Sequence, residues 1–213
     1  MKKYELLKDD TIEVAGKTLF RIKALKNFGH VTKGDLGGYV ESEENLSHEG
    51  DAWVEDNVWI SGNALISDNV WISGNAWISG NAWISGNVRV SDNVLRSGHV
   101  WVSDNVLISG NALISDNVLI SGDVWISGDA WITDNVRITG DACISDDRDY
   151  IVFKNNWSSG RYFVYTRSNN MWSAGCFHGT GDELIKKAYA DSEESGKKYE
   201  LYVNLVKELY RDE

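Results

Sequence analysis

The sequence predicts an all-β protein whose central part is a solenoid, a rod of short strands wound into stacked coils. Two observations predict it. A six-residue unit runs from residue 45 to residue 146 without insertion or deletion, which is 102 residues or 17 units of six. Proline is absent and the chain has 20 glycines, a composition in which Gly, Asn and Asp make the backbone turns. A short repeat at so constant a spacing is typical of solenoids.

The side chains within one unit have separate tasks. The frame is Asn/Asp, Ala/Val, a variable residue, Ile/Val, Ser/Thr and Gly/Asp. In one copy, Ala76 and Ile78 point to one side of a short strand and Trp77 points to the other. Residues 79–81 then turn the corner, because Gly and Asn tolerate the left-handed backbone that a tight corner needs. Stacked coils are required, since so short a strand cannot bury its apolar side alone.

In this frame residues 45–146 resemble the hexapeptide-repeat left-handed β-helix family. The resemblance implies that three hexads form one triangular coil and that the coils wind with a left hand, although crossovers between parallel strands are generally right-handed. Seventeen hexads would give 17/3, or nearly six coils, and a prism roughly 27 Å long at about 4.8 Å per coil. The predicted fold is therefore a left-handed parallel triangular β-helix, with a short N-terminal β segment and a small C-terminal α+β capping unit.

The start and the end of the period divide the chain into three segments. Residues 1–36 are predicted to be an N-terminal β segment, residues 37–146 the β-helix, and residues 147–213 a C-terminal α+β unit. Residues 37–42 align as a first hexad, followed by two extra residues. We expect the C-terminal unit to cap an open coil edge, which would otherwise be a template for strand addition.

Local patterns predict the elements of the two end segments. Alternating residues between turn signals predict strands at 5–7, 11–14 and 17–25, with a turn at 8–10, and strands at 150–154, 161–167 and 171–177. Thr180 and Glu183 form a capping-box pattern that begins a helix extending to about residue 190. A second helix, from about 195 to 211, carries apolar residues on one face, namely Tyr199, Tyr202, Val206, Leu209 and Tyr210.

With three hexads per coil, residues 18 apart stack, so the corner asparagines should form ladders of hydrogen-bonded amides. The expected ladders are Asn57, Asn75, Asn93 and Asn111; Asn45, Asn63, Asn81, Asn117 and Asn135; and Asn69, Asn87 and Asn105. His99 interrupts the second ladder. Asp and Gly alternate beside two of the ladders, which spaces like charges about 10 Å apart, near a Debye length. Asp116 and Asp134 break this alternation on the third edge.

The outward position of each hexad carries residues that the architecture does not require. Sorted by 18, face 1 holds Trp53, Trp71, Arg89, Leu107, Trp125 and Cys143; face 2 holds Trp59, Trp77, Leu95, Leu113 and Trp131; and face 3 holds Leu65, Trp83, Trp101, Leu119 and Arg137. A solvated solenoid should carry Lys, Glu, Thr or Arg here. Contiguous apolar patches usually mark contact surfaces, and Trp is enriched at interface centres.

We therefore predict that the eight outward tryptophans are binding residues: Trp53, Trp59, Trp71, Trp77, Trp83, Trp101, Trp125 and Trp131. Two simpler explanations stay open. Trp suits a strand surface and can stack on its neighbour one coil away, and the ends of the chain can cover part of the rows.

Charge limits the partners. The net charge is −11, and residues 45–146 hold 13 acids against three bases, a balance of −10. This argues against direct binding to nucleic acid or to an anionic membrane and is compatible with basic partners. The chain has no apolar run of membrane length and no signal-peptide pattern at its start, so a cytoplasmic protein is expected. The two cysteines make no disulfide framework, and no metal or cofactor is predicted.

Arg96 and His99 fall at one irregular junction of the repeat. Arg96 replaces an inward Ile, where an unpaired guanidinium would be costly, so either a local distortion or an acidic partner is expected. His99 is the weak candidate for an acyltransferase, because such enzymes of the resembling family work as trimers with a histidine near a subunit boundary. They usually also have a loop inserted in the repeat, which this chain lacks. Zinc chemistry like that of carbonic anhydrases on this fold needs three histidines, and the four here lack a suitable short spacing.

The C-terminal unit holds two further candidates. Cys176 and His178 would share a face if residues 171–177 continue as a strand, which brings a thiol near a base; a buried inert cysteine is the alternative. Alternation places Arg161, Phe163, Tyr165 and Arg167 on one side of a strand, where they could form a small binding surface or an ordinary half-buried strand.

The ends also resemble uncharacterised bacterial and prophage-encoded β-helix proteins, through residues 37–42 leading to 45–50, residues 165–170 and residues 175–177. The repeat departs from them, since they carry charged residues or Tyr where this chain carries Trp. The predicted function is a non-enzymatic interaction or scaffold protein that forms a homo-oligomer or binds a host protein, with inhibition of that protein as one use. The alternatives are a ligand-binding module for glycans or nucleotides through stacked Trp, and a hexapeptide-type acyltransferase.

Overall fold

A computed structural model describes residues 2–55, 57–133 and 135–211, and the side chain of Arg96 lies outside the description. The chain forms two compact units, Met1–Asp147 and Arg148–Glu213. Each is described separately below.

The first unit is built almost entirely of strands, with one short 3₁₀ helix inside it, Glu43–Asn45, and a second short 3₁₀ helix, Asp147–Asp149, spans the boundary between the units along the chain. In chain order the strands are β1 (Tyr4–Val14), β2 (Lys17–Ala24), β3 (Leu36–Val40), β4 (Trp53–Val54), β5 (Trp59–Ile60), β6 (Leu65–Ile66), β7 (Trp71–Ile72), β8 (Trp77–Ile78), β9 (Trp83–Ile84), β10 (Arg89–Val90), β11 (Leu95–Arg96), β12 (His99–Val102), β13 (Leu107–Ile108), β14 (Leu113–Ile114), β15 (Asn117–Ile120), β16 (Trp125–Ile126), β17 (Trp131–Ile132), β18 (Arg137–Ile138) and β19 (Cys143–Ile144).

Strands three apart in the chain pair in parallel, and this confirms the predicted solenoid of about six turns. Face 1 consists of β4, β7, β10, β13, β16 and β19, face 2 of β3, β5, β8, β11, β14 and β17, and face 3 of β6, β9, β12, β15 and β18. From β4 onward the register is 18 residues at each step, as in Trp53 with Trp71 and Trp83 with Trp101; between β3 and β5 it is 20, because of the two extra residues after the first hexad. The grouping of outward residues obtained by counting 18 is therefore the grouping in the structure. The hand of the winding stays a prediction from the resemblance.

The interior is the continuous stack of small and branched apolar side chains that the hexad predicts. Ala76 and Ile78 are 1% and 0% exposed. The corners also follow the prediction. At Gly74 the backbone is left-handed, with φ +77°, and a Cβ atom there would lie 2.4 Å from the nitrogen of Asp92 in the next coil. Such a corner needs glycine or a residue that tolerates positive φ.

The predicted first hexad is present, and β3 joins the solenoid through it. Tyr39 pairs with Trp59 and Val40 with Ile60, both in parallel. The two extra residues that follow form part of the 3₁₀ helix Glu43–Asn45.

The prediction of a turn at residues 8–10 is wrong. Strand β1 runs through that stretch and absorbs it as a register shift between Leu7 and Thr11, so the polar run is a bulge in an antiparallel pair. The hairpin turn lies instead at Ala15 and Gly16, where φ is +51° and +75°.

The second unit is a four-stranded antiparallel sheet with two helices. Its strands are β20 (Tyr150–Lys154), β21 (Tyr162–Thr166), β22 (Met171–Ala174) and β23 (Phe177–Gly179), in that order across the sheet, and its helices are α1 (Gly181–Asp191) and α2 (Glu193–Leu209). Thr180 caps α1 and forms the predicted capping box with Glu183.

The structure revises three expectations for the second unit. The stretch 171–177 is two strands, because the chain turns at Gly175, where φ is +62°. Phe163 and Tyr165 are 1% and 5% exposed and belong to the core between sheet and helices, which favours the alternative of an ordinary strand on β21, although Tyr165 and Arg167 also line a cavity of this unit. On α2, Val203 packs into that core, whereas Leu209 is 58% exposed.

Candidate functional site: the outward rows and corner ladders

The corner ladders form, and they have a direction. Along one edge Asn69 Nδ2 donates to Asn87 Oδ1 (3.1 Å), Asn87 Nδ2 to Asn105 Oδ1 (2.9 Å), and Asn105 Nδ2 to Asp123 Oδ1 (2.8 Å). A second edge repeats the pattern from Asn75 to Asp129. Each amide therefore gives its proton to the following coil, and a carboxylate, which can only accept, takes the last place.

The remaining ladder, which the sequence predicts to run from Asn45 to Asn135, differs at two of its positions, Asn45 and His99. Asn45 leaves the ladder, since its side chain is buried and donates to the carbonyl oxygens of Gly62 and Ala64. His99 stays in it, because Asn81 Nδ2 lies 3.3 Å from its Nδ1. The interruption predicted at His99 is thus a substitution of one hydrogen-bonding group for another.

The alternation of Asp and Gly has a hydrogen-bonding reason besides charge spacing. Asp68 Oδ2 accepts from the backbone nitrogen of Gly86 one coil on (3.2 Å), and Asp104 Oδ2 accepts in the same way from Gly122 (3.2 Å). The aspartates themselves have positive φ, 61° and 70°. Of the two residues expected to break the alternation, Asp134 lies outside the described residues, as does Asp56 on the neighbouring edge.

Trp53 is covered by the chain's own N-terminal segment, residues 3–37, which is called the cover from here on. It is 3% exposed, the ring of Phe28 meets it edge-on at 5.5 Å, and Gly37 leaves room for it, since a Cβ there would lie 2.7 Å from Trp53 Cζ2. At this end of face 1, the simpler explanation that the ends of the chain cover part of the outward rows therefore holds.

Trp71, one coil further along face 1, is half-buried at the boundary of this cover. His30 approaches it edge-on, with the ring centroids 6.0 Å apart. Beside the two rings is a cavity of about 550 Å³, which Asp51, Asn69 and Arg89 also line.

The cover is held down by Lys3, which is buried. Its Nζ donates to the carbonyl of Ala52 (2.8 Å) and of Gly50 (3.5 Å) and lies over the ring of Phe28. Burial lowers the pKa of Lys3 to about 8, and the carboxylate of Asp51 offsets part of that shift.

Face 3 is open. Trp83 and Trp101 stack with their centroids 4.8 Å apart and an angle of 16° between the rings, and they are 44% and 47% exposed. Leu65 is exposed and Leu119 half-buried on either side of them, so four consecutive coils present apolar side chains.

Face 2 is also apolar but more contoured. Trp59 and Trp77 are half-buried and meet edge to face at 6.3 Å, beside a groove of about 440 Å³ that extends to Leu95. Further along, Trp131 is 60% exposed. On face 1 beyond the cover, Trp125 is 54% exposed.

The three edges differ in charge, which the alternation rule alone did not show. The edge between faces 3 and 1 carries six acids by position, Glu49, Asp51, Asp68, Asp104, Asp123 and Asp141. By position in the repeat, the edge between faces 1 and 2 carries five acids, namely Glu55, Asp56, Asp92, Asp129 and Asp146. The edge between faces 2 and 3 carries two, Asp116 and Asp134, with none in its corners at residues 61–63, 79–81 and 97–99. At its start Glu41 is paired with Lys17 (2.6 Å), whose hydrogen bond holds the pKa of Glu41 below its usual value. The apolar faces 2 and 3 thus meet at the least acidic edge.

The weak catalytic candidates lie in three separate settings. His99 is exposed at a corner and belongs to an amide ladder. Cys176 is exposed in the turn between β22 and β23, so it does not share a strand face with His178, whose Nδ1 lies 3.1 Å from Ser173 Oγ. The backbone of Arg96 keeps the regular pairing with Ile78 and Ile114, but its side chain is outside the description, so neither expectation for it is tested.

The second unit has a cavity of its own, about 540 Å³, between the sheet and α2. Its charged groups have partners, since Lys207 pairs with Asp182 (2.9 Å) and Arg167 lies over the ring of Tyr210. Over the described ranges, no cluster of three His, Cys, Asp or Glu side chains is arranged to hold a metal. Neither helix, within the same ranges, is long and apolar enough to cross a bilayer.

A comparison with protein families supports the solenoid. A family model described as YdcK Beta solenoid repeat matches residues 82–98, which is about one coil and includes Trp83. A comparison with curated proteins gives no match.

Proposed function

We propose that this protein is a non-enzymatic β-solenoid scaffold that associates with further copies of itself through the apolar faces 2 and 3. The observation that carries the proposal is the open stack of Trp83 and Trp101, which are 44% and 47% exposed in the middle of a four-coil apolar stripe. Burying that stripe would remove several large apolar side chains from water, which is the main favourable term in association.

The distribution of charge favours a second copy as the occupant. Copies that meet across the edge shared by faces 2 and 3 bring together the corners with the fewest acids by position, Asp116 and Asp134, and leave the two more acidic edges at the margins of the contact. A basic partner would instead be drawn to the acidic edge between faces 3 and 1.

Each face is small, so the association should be weak. Five coils at about 4.8 Å give a stripe roughly 24 Å long. The area that one such stripe can bury is smaller than the ~800 Å² per partner of a standard interface. We expect dissociation constants in the micromolar range. Two separate apolar faces on one molecule would let each copy contact two others, which is the property of a scaffold.

The proposal uses five of the eight outward tryptophans, Trp59, Trp77, Trp83, Trp101 and Trp131. A host protein, in the cytoplasm of a bacterium that carries a prophage, is the alternative occupant. Acyl transfer has less support, because His99 is engaged in a corner ladder and no loop encloses it.

Solution mass as a function of protein concentration and salt tests the proposal. We expect oligomers by light scattering at tens of micromolar, and stronger association at high salt, since salt screens the repulsion between acidic copies. Trp101→Lys should remove the contact through face 3 and leave only the one through face 2, and the double variant Trp101→Lys/Trp131→Lys, which alters both faces, should be monomeric. Trp125→Lys, a similarly exposed tryptophan on face 1, should associate like the wild type.

Three results would contradict the proposal. They are a wild-type protein that is monomeric at every concentration, a Trp101→Lys/Trp131→Lys variant that still associates, and association that weakens as salt is added. The last result would indicate an interaction between opposite charges.

A further inference from the structure

We propose that the cavity over Trp71, on face 1, binds a neutral sugar ring of an oligosaccharide. This site lies on the face that the self-association does not use, and it is independent of the proposed function. The argument rests on the aromatic ring, on the polar groups around it and on the way the N-terminal segment fixes them.

Trp71 supplies a platform of the kind that sugars stack on. Its ring is half-buried and held by the edge of His30, so it is fixed yet still accessible. The apolar C–H face of a hexose fits a flat indole, and the amphipathic indole leaves the hydroxyl groups free to hydrogen-bond around it.

The first place of the amide ladder leaves acceptors to which no described protein group donates, and since Asp51 and Asn69 are exposed, these oxygens are open to water or to a ligand. Asn69 gives its amide protons to Asn87 in the next coil. The residue 18 positions before Asn69 is Asp51, whose carboxylate has no proton to give back. Among the described residues, nothing donates to Asn69 Oδ1 or to the carboxylate of Asp51.

Arg89 adds a hydrogen-bond donor to the lining of the same cavity. It pairs with Trp71 in the sheet, its side chain is exposed, and it makes no ion pair with any described residue. Sugar hydroxyls both donate and accept, so one ring over Trp71 can satisfy Asp51, Asn69 and Arg89 together.

The acceptors are held in place before a ligand arrives. Asp51 lies between Gly50 and Ala52, whose carbonyls both accept from buried Lys3. Gly29 backs onto Asp51, since a Cβ there would lie 3.2 Å from Asp51 Cβ. A site built in this way loses little entropy on binding.

The size and charge of the groove select the ligand class. The cavity of about 550 Å³ shares Trp71 and His30 with a second cavity of about 640 Å³, so the groove continues past one ring. Glu55 and Asp35 line the second cavity and Asp51 the first, against Arg89. This excess of acids disfavours nucleotides and other anions, which leaves a neutral oligosaccharide.

The test begins with the full-length protein, fluorescently labelled, on an array of neutral and acidic glycans, followed by calorimetric titration of the strongest neutral binder and of ATP. We expect at least one neutral glycan to bind and ATP not to bind. Trp71→Ala should weaken binding at least tenfold, and Trp125→Ala, an exposed tryptophan on the same face, should change it less than twofold.

The Asp51→Asn variant tests whether glycan binding is lost while the fold is kept. The new amide can donate to Asn69 Oδ1 and complete the ladder, so the variant should unfold at higher urea concentration than the wild type yet bind the glycan about tenfold more weakly. The proposal is overturned if no neutral glycan binds, if Trp71→Ala or Asp51→Asn binds as well as the wild type, or if ATP binds more tightly than any glycan.

Discussion

Trp53 and Trp131 occupy the same outward position in two different hexads, yet Trp53 is 3% exposed and Trp131 is 60% exposed. The difference does not come from the repeat, which treats the two positions alike. It comes from the N-terminal segment, which reaches over the first coils of face 1 and no further. In this solenoid the repeat places large apolar side chains outside, and the non-repeating ends decide which of them become core.

The boundary between the covered and the open region combines an accessible tryptophan with polar side chains that could bind a ligand. Trp71 lies there, half-buried, with unpaired polar groups beside it. The open region offers apolar contact area instead, in the stacked pair Trp83 and Trp101.

The largest expected effect distinguishes a covered tryptophan from an open one. Trp53→Ala should lower the free energy of unfolding by about 3–5 kcal/mol, since it removes a large buried side chain and leaves a cavity under Phe28. Trp125→Ala, at the same position on the same face, should change it by less than about 1 kcal/mol, because its ring is mostly solvated. Urea unfolding followed by circular dichroism measures both. Equal losses would mean that the cover does not exist in solution.

A smaller loss of unfolding free energy should follow from a substitution in the cover that leaves Trp53 itself unchanged. Gly37→Ala places a methyl group within 2.7 Å of Trp53 Cζ2 and of Ile22 Cγ1. Overpacking of this kind costs about 1–3 kcal/mol. Hydrogen exchange should show faster opening of β4 and no change at β17, where Trp131 is. Uniform acceleration in every coil would instead indicate that the cover and the open coils unfold as one unit.

The smallest and most gradual effect concerns pH. The pKa of Lys3 is about 8 in the folded chain against an ordinary 10.5, because burial disfavours its charge. Between these values the unfolded chain binds a proton that the folded chain has released, so this group makes the free energy of unfolding rise as pH goes from about 8 to 10.5.

Lys3→Met removes that contribution, so the stability difference, wild type minus variant, should grow in favour of the wild type across the same window. Tyr4 acts in the opposite sense, since burial raises its pKa, but it is present in both proteins and cancels. Parallel curves for the two proteins from pH 8 to 10.5 would show that Lys3 is not buried under the cover.

Much of the architecture follows from local rules. The inward Ala and Ile, the left-handed corners and the capping box at Thr180 each depend on residues within one hexad or one helical turn. The 18-residue register was implied by the resemblance to the hexapeptide-repeat family. Where the prediction fails, the outcome depends on a distant partner. Residues 8–10 have turn-forming composition but pair as a bulge with β2, and Phe163 has no mark in its own strand that α2 will bury it.

The candidate site shows the same division. The tryptophans and their three rows were visible in the sequence, as was the acidity of the repeat. The cavity at Trp71 was not, because His30 lies 41 positions from Trp71 (71 − 30), and no local pattern relates them. Asp51 could have been noticed as a carboxylate at the start of a ladder, but only the direction of the amide bonds shows that it leaves acceptors unsatisfied.

The sequence by itself determined the strand and the corner of each hexad, since the six-residue period places Ala and Ile on one side of every strand and Gly, Asn or Asp at the turns; that three hexads make one coil is what the resemblance to the hexapeptide-repeat family implied and the strand pairing confirms. Only the tertiary structure decided which outward side chains meet water. Exposure depends on where a non-repeating segment comes to rest, and that is set by contacts such as Lys3 with Ala52, 49 residues apart, Phe28 with Trp53, and Gly37 with Trp53.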